Sequence, residues 1–146
     1  MASSAPVLPD TMLSLSRVGD VAVLSLAAPA ILEDEATVLG RYLTELARQS
    51  EGLVAVELSG VMRFGCAWIN TLISVSKRCE EMGGRLVVCG LTPSALHLIR
   101  NTGIDKYLTV TENRREALRV LGEPSVNAWR LAVARLLDIP VAGRAA

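Results

Sequence analysis

Apolar and polar residues alternate from Thr11 to Val18, with Leu13 and Leu15 set against Ser14, Ser16 and Arg17. That is the period of a half-buried strand. Gly19-Asp20 makes a turn and Val21–Leu26 (VAVLSL) predicts a second strand, so residues 11–26 read as a hairpin. Ala27–Ile31, interrupted by Pro29, reads as a loop. From Glu33 the period becomes helical, with Leu32, Ala36, Leu39, Leu43 and Leu46 on one face. Glu33, Asp34 and Glu35 fall in its first turn, where carboxylates favour the positive helix end, and Glu51-Gly52 breaks it. Leu53–Val56 predicts a buried strand and Met62-Arg63-Phe64-Gly65 an irregular turn. A long helix then opens near Cys66. Trp68, Leu72, Val75, Cys79 and Met82 share one side of it, widened by Ile69 and Ile73, while Asn70, Ser74, Lys77 and Glu81 lie opposite.

Gly83-Gly84 ends that helix, and Arg85–Cys89 (RLVVC) predicts a fourth strand. Pro93 opens a short helix, Ser94 to about Asn101, that Gly103 stops. Tyr107–Val110 is a fifth strand, and Asn113 or Thr111 caps a helix through Leu121 with Ala117, Leu118 and Leu121 inward. Gly122-Glu123-Pro124 marks a boundary before a final amphipathic helix, Ser125 to about Leu137. The expected organisation is a flexible tail over 1–10, a domain over 11–121, the helix over 125–138 and a second tail over 139–146. Strand–helix–strand units imply parallel neighbours with right-handed crossovers. The fold class is therefore α/β: a mixed sheet of about five strands with four helices mainly on one face, plus the extra C-terminal helix.

Composition narrows the function. The hydrophobic fraction is 51% and the charged fraction 21%, enough for a real core in a soluble chain. Fifteen basic residues balance 15 acidic ones, for a formal net charge of +0, which argues against broad binding to nucleic acid or an anionic membrane. Aromatic residues make up 3%, too few for a base-stacking surface. No apolar run approaches the ~20 residues that span a bilayer, so no membrane insertion is expected. MASSAPVLPD lacks the basic and apolar regions of a secretory signal, and three widely spaced cysteines form neither a disulfide framework nor a CxxC knuckle. A cytoplasmic setting follows.

Several phrases in this order resemble the STAS domain, the sulphate transporter and anti-sigma factor antagonist family. They are Val54-Ala55-Val56-Glu57-Leu58-Ser59-Gly60-Val61, Gly83-Gly84-Arg85-Leu86-Val87-Val88-Cys89-Gly90-Leu91, Thr92-Pro93, Asn101-Thr102-Gly103-Ile104-Asp105 and Glu116-Ala117-Leu118. The resemblance covers roughly residues 11–121. It implies a bacterial-type protein-binding module whose turn after the central strand reads Asp-Ser-Ser/Thr-Gly-Leu in the family. There the second hydroxyl is phosphorylated by an anti-sigma kinase, which switches off binding to that kinase. Aligned here, the Asp position is Gly65, the first Ser is Cys66, the phosphoacceptor is Ala67, the Gly is Trp68 and the Leu is Ile69. Alanine offers no oxygen to a phosphoryl group and Gly65 no carboxylate to cap the helix, so the family switch in its standard form is absent.

The candidate residues each have a plainer reading. Cys66 at a helix N-terminus suits a thiolate, and equally a small residue filling a tight turn. Cys79 and Cys89 fall on apolar faces and suit the core. His97 reads as a partly exposed structural histidine. One histidine with scattered cysteines makes no metal site, and no Gly-rich phosphate loop is present, so neither metal nor cofactor is expected. Trp68 is either an exposed apolar knob beside Arg63, the residue types of interface hot spots, or a core residue on the Leu72–Val75 stripe. Trp129, Val133 and Leu136 either complete the core or form a homodimer seam.

The expected function is a non-catalytic module that binds an anti-sigma kinase or another STAS protein. The partner-binding residues would be Arg63, Phe64, Gly65, Cys66, Ala67, Trp68 and Asn70, with Ala67 the degenerate phosphoacceptor position. The alternatives are a cytoplasmic accessory domain for transport or small-molecule or lipid binding, and a thiol sensor at Cys66.

Overall fold

The computed structural model describes residues 11–122. Strands β1 (Met12–Val18) and β2 (Val21–Ile31) form the expected hairpin, in register from Val18↔Val21 to Met12↔Ala27. Gly19 takes φ +59° at the turn, the left-handed conformation that glycine adopts without steric cost. Helix α1 (Glu33–Gln49), β3 (Leu53–Phe64), α2 (Cys66–Glu81), β4 (Arg85–Cys89), α3 (Pro93–Asn101), β5 (Thr109–Thr111) and α4 (Arg114–Gly122) follow, with one 3-10 turn at Ile104–Lys106. The five strands make one sheet in the order β1-β2-β3-β4-β5. β1 is antiparallel to β2 and the others run parallel.

Helices α1 and α2 cover one face of the sheet. Leu39, Leu43 and Ala36 from α1 meet Trp68, Leu72, Val75 and Cys79 from α2 over Leu24, Val54, Val56 and Leu86. Each fully buried leucine there contributes about 2 kcal/mol of transfer free energy. α4 packs on the opposite face, where Ala117 and Leu121 rest on Val21, Val23, Ala55, Val87 and Cys89. Asn113 starts α4 by accepting the Glu116 amide on its side-chain oxygen at 3.0 Å, the capping role expected of it. β1 is exposed along its whole length.

Several boundaries differ from those read in the sequence. β2 does not end at Leu26 but continues through Pro29 to Ile31. The proline is exposed and lies beyond the last described β1 pair, Met12↔Ala27, an edge position that tolerates a missing N–H. β3 likewise continues through the expected turn to Phe64. The register with β2 slips between Ser25↔Glu57 and Ala27↔Gly60, so β3 carries one extra residue. This bulge changes the phase of the strand: Val54, Val56 and Leu58 face the core before it, and Val61 after it. Gly60 is needed there, because a Cβ would come within 2.6 Å of the Ala27 Cβ and 2.9 Å of its Cα.

Leu32, expected on the inner face of α1, precedes the helix and is exposed. Met82 lies just after α2 and is exposed too. The fifth strand begins at Thr109, later than Tyr107. The tails, the C-terminal helix and the seam residues Trp129, Val133 and Leu136 lie outside the described residues.

Candidate functional site

β3 pairs with β4 as far as Glu57↔Cys89, then runs on beside β2 alone to Ile31↔Phe64. The candidate turn therefore sits at the tip of a parallel β2–β3 extension. α1 and α2 both start there, one residue after each strand: Leu32 separates Ile31 from Glu33, and Gly65 separates Phe64 from Cys66. The Gly65 amide donates to the Ile31 carbonyl at 3.0 Å, which ties the two strand ends together. Gly65 has an extended backbone and provides no side-chain cap to α2. At the neighbouring helix start, the Glu35 carboxylate accepts the Leu32 amide at 2.9 Å, one half of a capping box.

The seven residues singled out in the sequence divide by exposure. Arg63, Cys66 and Asn70 are exposed; Phe64, Gly65 and Ala67 are half-buried. Phe64 and Ala67 pack against the main core. Trp68 is wholly buried, at 0% exposure, and belongs to that core. This corrects the reading of Trp68 as a surface knob. Its position one turn before Leu72 places it on the stripe that faces the sheet, so its indole braces the start of α2. The indole Nε1 has no acceptor among the described protein atoms.

Two further residues stand exposed at this tip: Met62, within the expected turn 62–70, and Leu32, which was expected on the inner face of α1. Met62 is 71% exposed and Leu32 53% exposed, apolar surface that water alone does not favour. A Cβ on Gly65 would lie 3.8 Å from the Leu32 Cδ2, so Leu32 stands over the turn. The signal for Leu32 was the acidic triplet Glu33-Asp34-Glu35, which marks the helix start and leaves Leu32 outside it. The signal for Met62 was hidden by the bulge at Gly60, which reverses the in–out order beyond it.

The three cysteines are free: Cys66 is exposed, Cys79 and Cys89 are buried. Burial pushes the Cys79 thiol up to about 12, with the Glu80 charge adding to it. Burial likewise raises Cys89 to about 11, helped by Glu57 and opposed by Arg114. Both are inert core thiols, as expected from their apolar faces. The His97 ring Nε2 lies 2.8 Å from the Asn101 Nδ2, a bond local to α3. Among the described residues no hydrogen bond joins Cys66 to His97, and no group of His, Cys, Asp and Glu side chains is arranged to hold a metal ion. No described helix is long and apolar enough to cross a membrane.

The fold has solved relatives. An anti-sigma-factor antagonist (STAS) domain protein from Planctomyces limnophilus matches at 22% identity and TM-score 0.68, over 76% of this chain and 98% of that one. An anti-sigma factor antagonist from Mycobacterium paratuberculosis matches at 18% identity and TM-score 0.69, over 77% and 95%. The Bacillus cell fate determinant SpoIIAA in its phosphorylated form matches at 12% identity and TM-score 0.56, over 75% and 99%. Comparison with curated protein sequences gives no match. The family model of the STAS domain matches residues 13–117, most of the chain: the chain belongs to the STAS domain family.

Proposed function

We propose that this chain is a non-catalytic interaction module of the anti-sigma factor antagonist type. It binds a regulatory partner, an anti-sigma kinase or another STAS protein, through the strand end and helix start at residues 62–70. The observation that carries this reading is the composition of the tip. Met62, Arg63, Cys66 and Asn70 are exposed together around a half-buried Ala67 methyl, where the family alignment places a phosphorylated hydroxyl. Arginine and methionine are each enriched at protein interfaces, and a methyl group accepts no phosphate. The module therefore holds its partner without being switched at this position, and control passes to the partner. The solved relatives named as anti-sigma factor antagonists favour the same class.

Isothermal titration against the anti-sigma kinases and STAS proteins of the same genome tests this. A partner is expected that binds the wild type equally with and without ATP. Arg63→Ala and Asn70→Ala should weaken it about tenfold or more, the size of a modest hot spot. Ala67→Ser should make binding to a kinase partner ATP-sensitive. The reading fails if nothing in that set binds, or if the two alanine variants bind as the wild type does.

A further inference from the structure

α1 and α2 run side by side on one face of the sheet, and they come close at Gly40, where a Cβ would approach the Thr71 Cγ2 to 2.9 Å. Small residues at a helix contact let the backbones approach and leave the flanking side chains around a trough. Here that trough is an open groove of about 590 Å³ on the solvent side, with Arg41 and Glu45 on its α1 wall and Asn70, Ser74 and Arg78 on its α2 wall. It begins at Asn70, the last residue of the candidate tip, and runs along both helices away from it.

The charges in the groove are unbalanced. Glu45 is the carboxylate among its lining residues, and it is already engaged by Arg48 and, at 3.0 Å, by the Gln49 amide. Arg41 and Arg78 make no ion pair with any described residue. The threonine hydroxyls of the walls donate to carbonyls one turn back, Thr37 to Glu33, Thr44 to Gly40 and Thr71 to Ala67, at 2.8–3.0 Å. What the groove presents to an incoming ligand is therefore two guanidinium forks, the Asn70 amide and the Ser74 hydroxyl. Arg78 lies two helical turns past Thr71, about 10 Å along the axis at 1.5 Å per residue. An extended peptide covers that distance in about three residues.

We propose that this groove receives an acidic segment of the partner protein, with Arg41 and Arg78 pairing carboxylates and Asn70 shared with the tip. Guanidinium groups suit the role because their planar donors meet a carboxylate two at a time. The proposal rests on the interaction-module reading and adds the chemistry of what is bound. It also gives the interaction two parts: the tip contacts the partner through Met62, Arg63 and Asn70, and the groove sets its orientation by charge.

The test uses the full chain, nitrogen-15 labelled, titrated with an acetylated and amidated deca-glutamate peptide and followed by amide chemical shifts. Saturable shifts are expected at residues 40–45 and 70–78, weakening with added salt. The double variant Arg41→Glu/Arg78→Glu should weaken binding about tenfold or more, while Arg115→Glu on the opposite face of the sheet should not. The proposal is overturned if the shifts fall elsewhere, if Arg115→Glu has the larger effect, or if inorganic phosphate or ATP occupies the groove more tightly than the peptide.

A second arm separates this proposal from the one it builds on. With a partner found by titration, loss of binding in Arg63→Ala but not in Arg41→Glu/Arg78→Glu removes the groove and leaves the module reading standing. Absence of any partner removes the module reading, while the peptide titration still decides whether the groove binds carboxylates.

Discussion

The Gly65 amide lies 3.0 Å from the Ile31 carbonyl, so the start of α2 is fastened to the end of β2 through the backbone. That bond needs no particular side chain at position 65, and the position carries none. α2 also lacks any acidic residue in its first turn, so the positive end of the helix is left to the solvent. An aspartate at Gly65 would meet only ordinary contact with Leu32, and its backbone angle suits any residue. Gly65→Asp should therefore add a cap and a favourable charge, raising stability by about 0.5–1 kcal/mol, read as a higher urea midpoint at an unchanged slope. A lower midpoint would mean that the turn has no room for a side chain.

Trp68 fills the junction of α1, α2 and the sheet. Trp68→Ala should lose about 3–5 kcal/mol, the range for deleting a large buried aromatic. Trp68→Phe should lose less than half as much, because it keeps a ring in place and removes an indole N–H that has no protein acceptor. Partner binding by Trp68→Phe should match the wild type wherever the protein is folded. Weakened binding in a fully folded Trp68→Phe protein would return the indole to the interface.

The buried thiols make stability fall in alkali. A folded pKa above the unfolded value means that the folded state keeps a proton the unfolded state has released. The stabilisation is complete below the ordinary thiol value of 9.0 and is lost as pH rises towards about 11 for Cys89 and about 12 for Cys79. Each contributes a slope of up to about 1.4 kcal/mol per pH unit in its window. Chemical denaturation between pH 8 and pH 11 should show this decline, and Cys79→Ala should make it shallower. In the native protein a thiol reagent at pH 8 should label Cys66 and spare the other two; labelling of all three would show that the core opens.

Most of the sheet was legible because burial and period agree in it. Val21, Val23 and Ala55 on one face, with Leu24, Val54 and Val56 on the other, read as strands, and α1 and α2 show their apolar stripes plainly. The far ends of β2 and β3 were not legible, for two local reasons. Pro29 has no N–H and normally marks a break, yet here it sits where the described β1 no longer needs one. The bulge at Gly60 displaces the alternation by one residue, so Val61 points inward where a regular strand would point it out. The tip was thus recognised through its resemblance to a family motif, while the exposure of Met62 and Leu32 became visible only in the folded chain.

The same bulge offers a further measurement. Gly60→Ala places a methyl against the Ala27 backbone and within 3.0 Å of the Leu26 carbonyl. It should cost about 1–3 kcal/mol through overpacking, although residue 60 is exposed. A neutral outcome in thermal melting would show that β2 and β3 can part at this point.

At the opposite end of the sheet, a Cβ on Gly84 would fall 2.4 Å from the Gly52 carbonyl carbon, and the Arg85 amide bonds to the Gly52 oxygen at 2.7 Å. Two bare backbones touch there, so the loops entering β3 and β4 admit neither a larger residue nor an insertion without parting. The molecule consequently has one end that requires bare backbone, while at the other Met62, Arg63 and Asn70 stand exposed on the surface. Side chains at those three positions can be exchanged, and binding preference altered with them, while the base that supports the tip stays fixed.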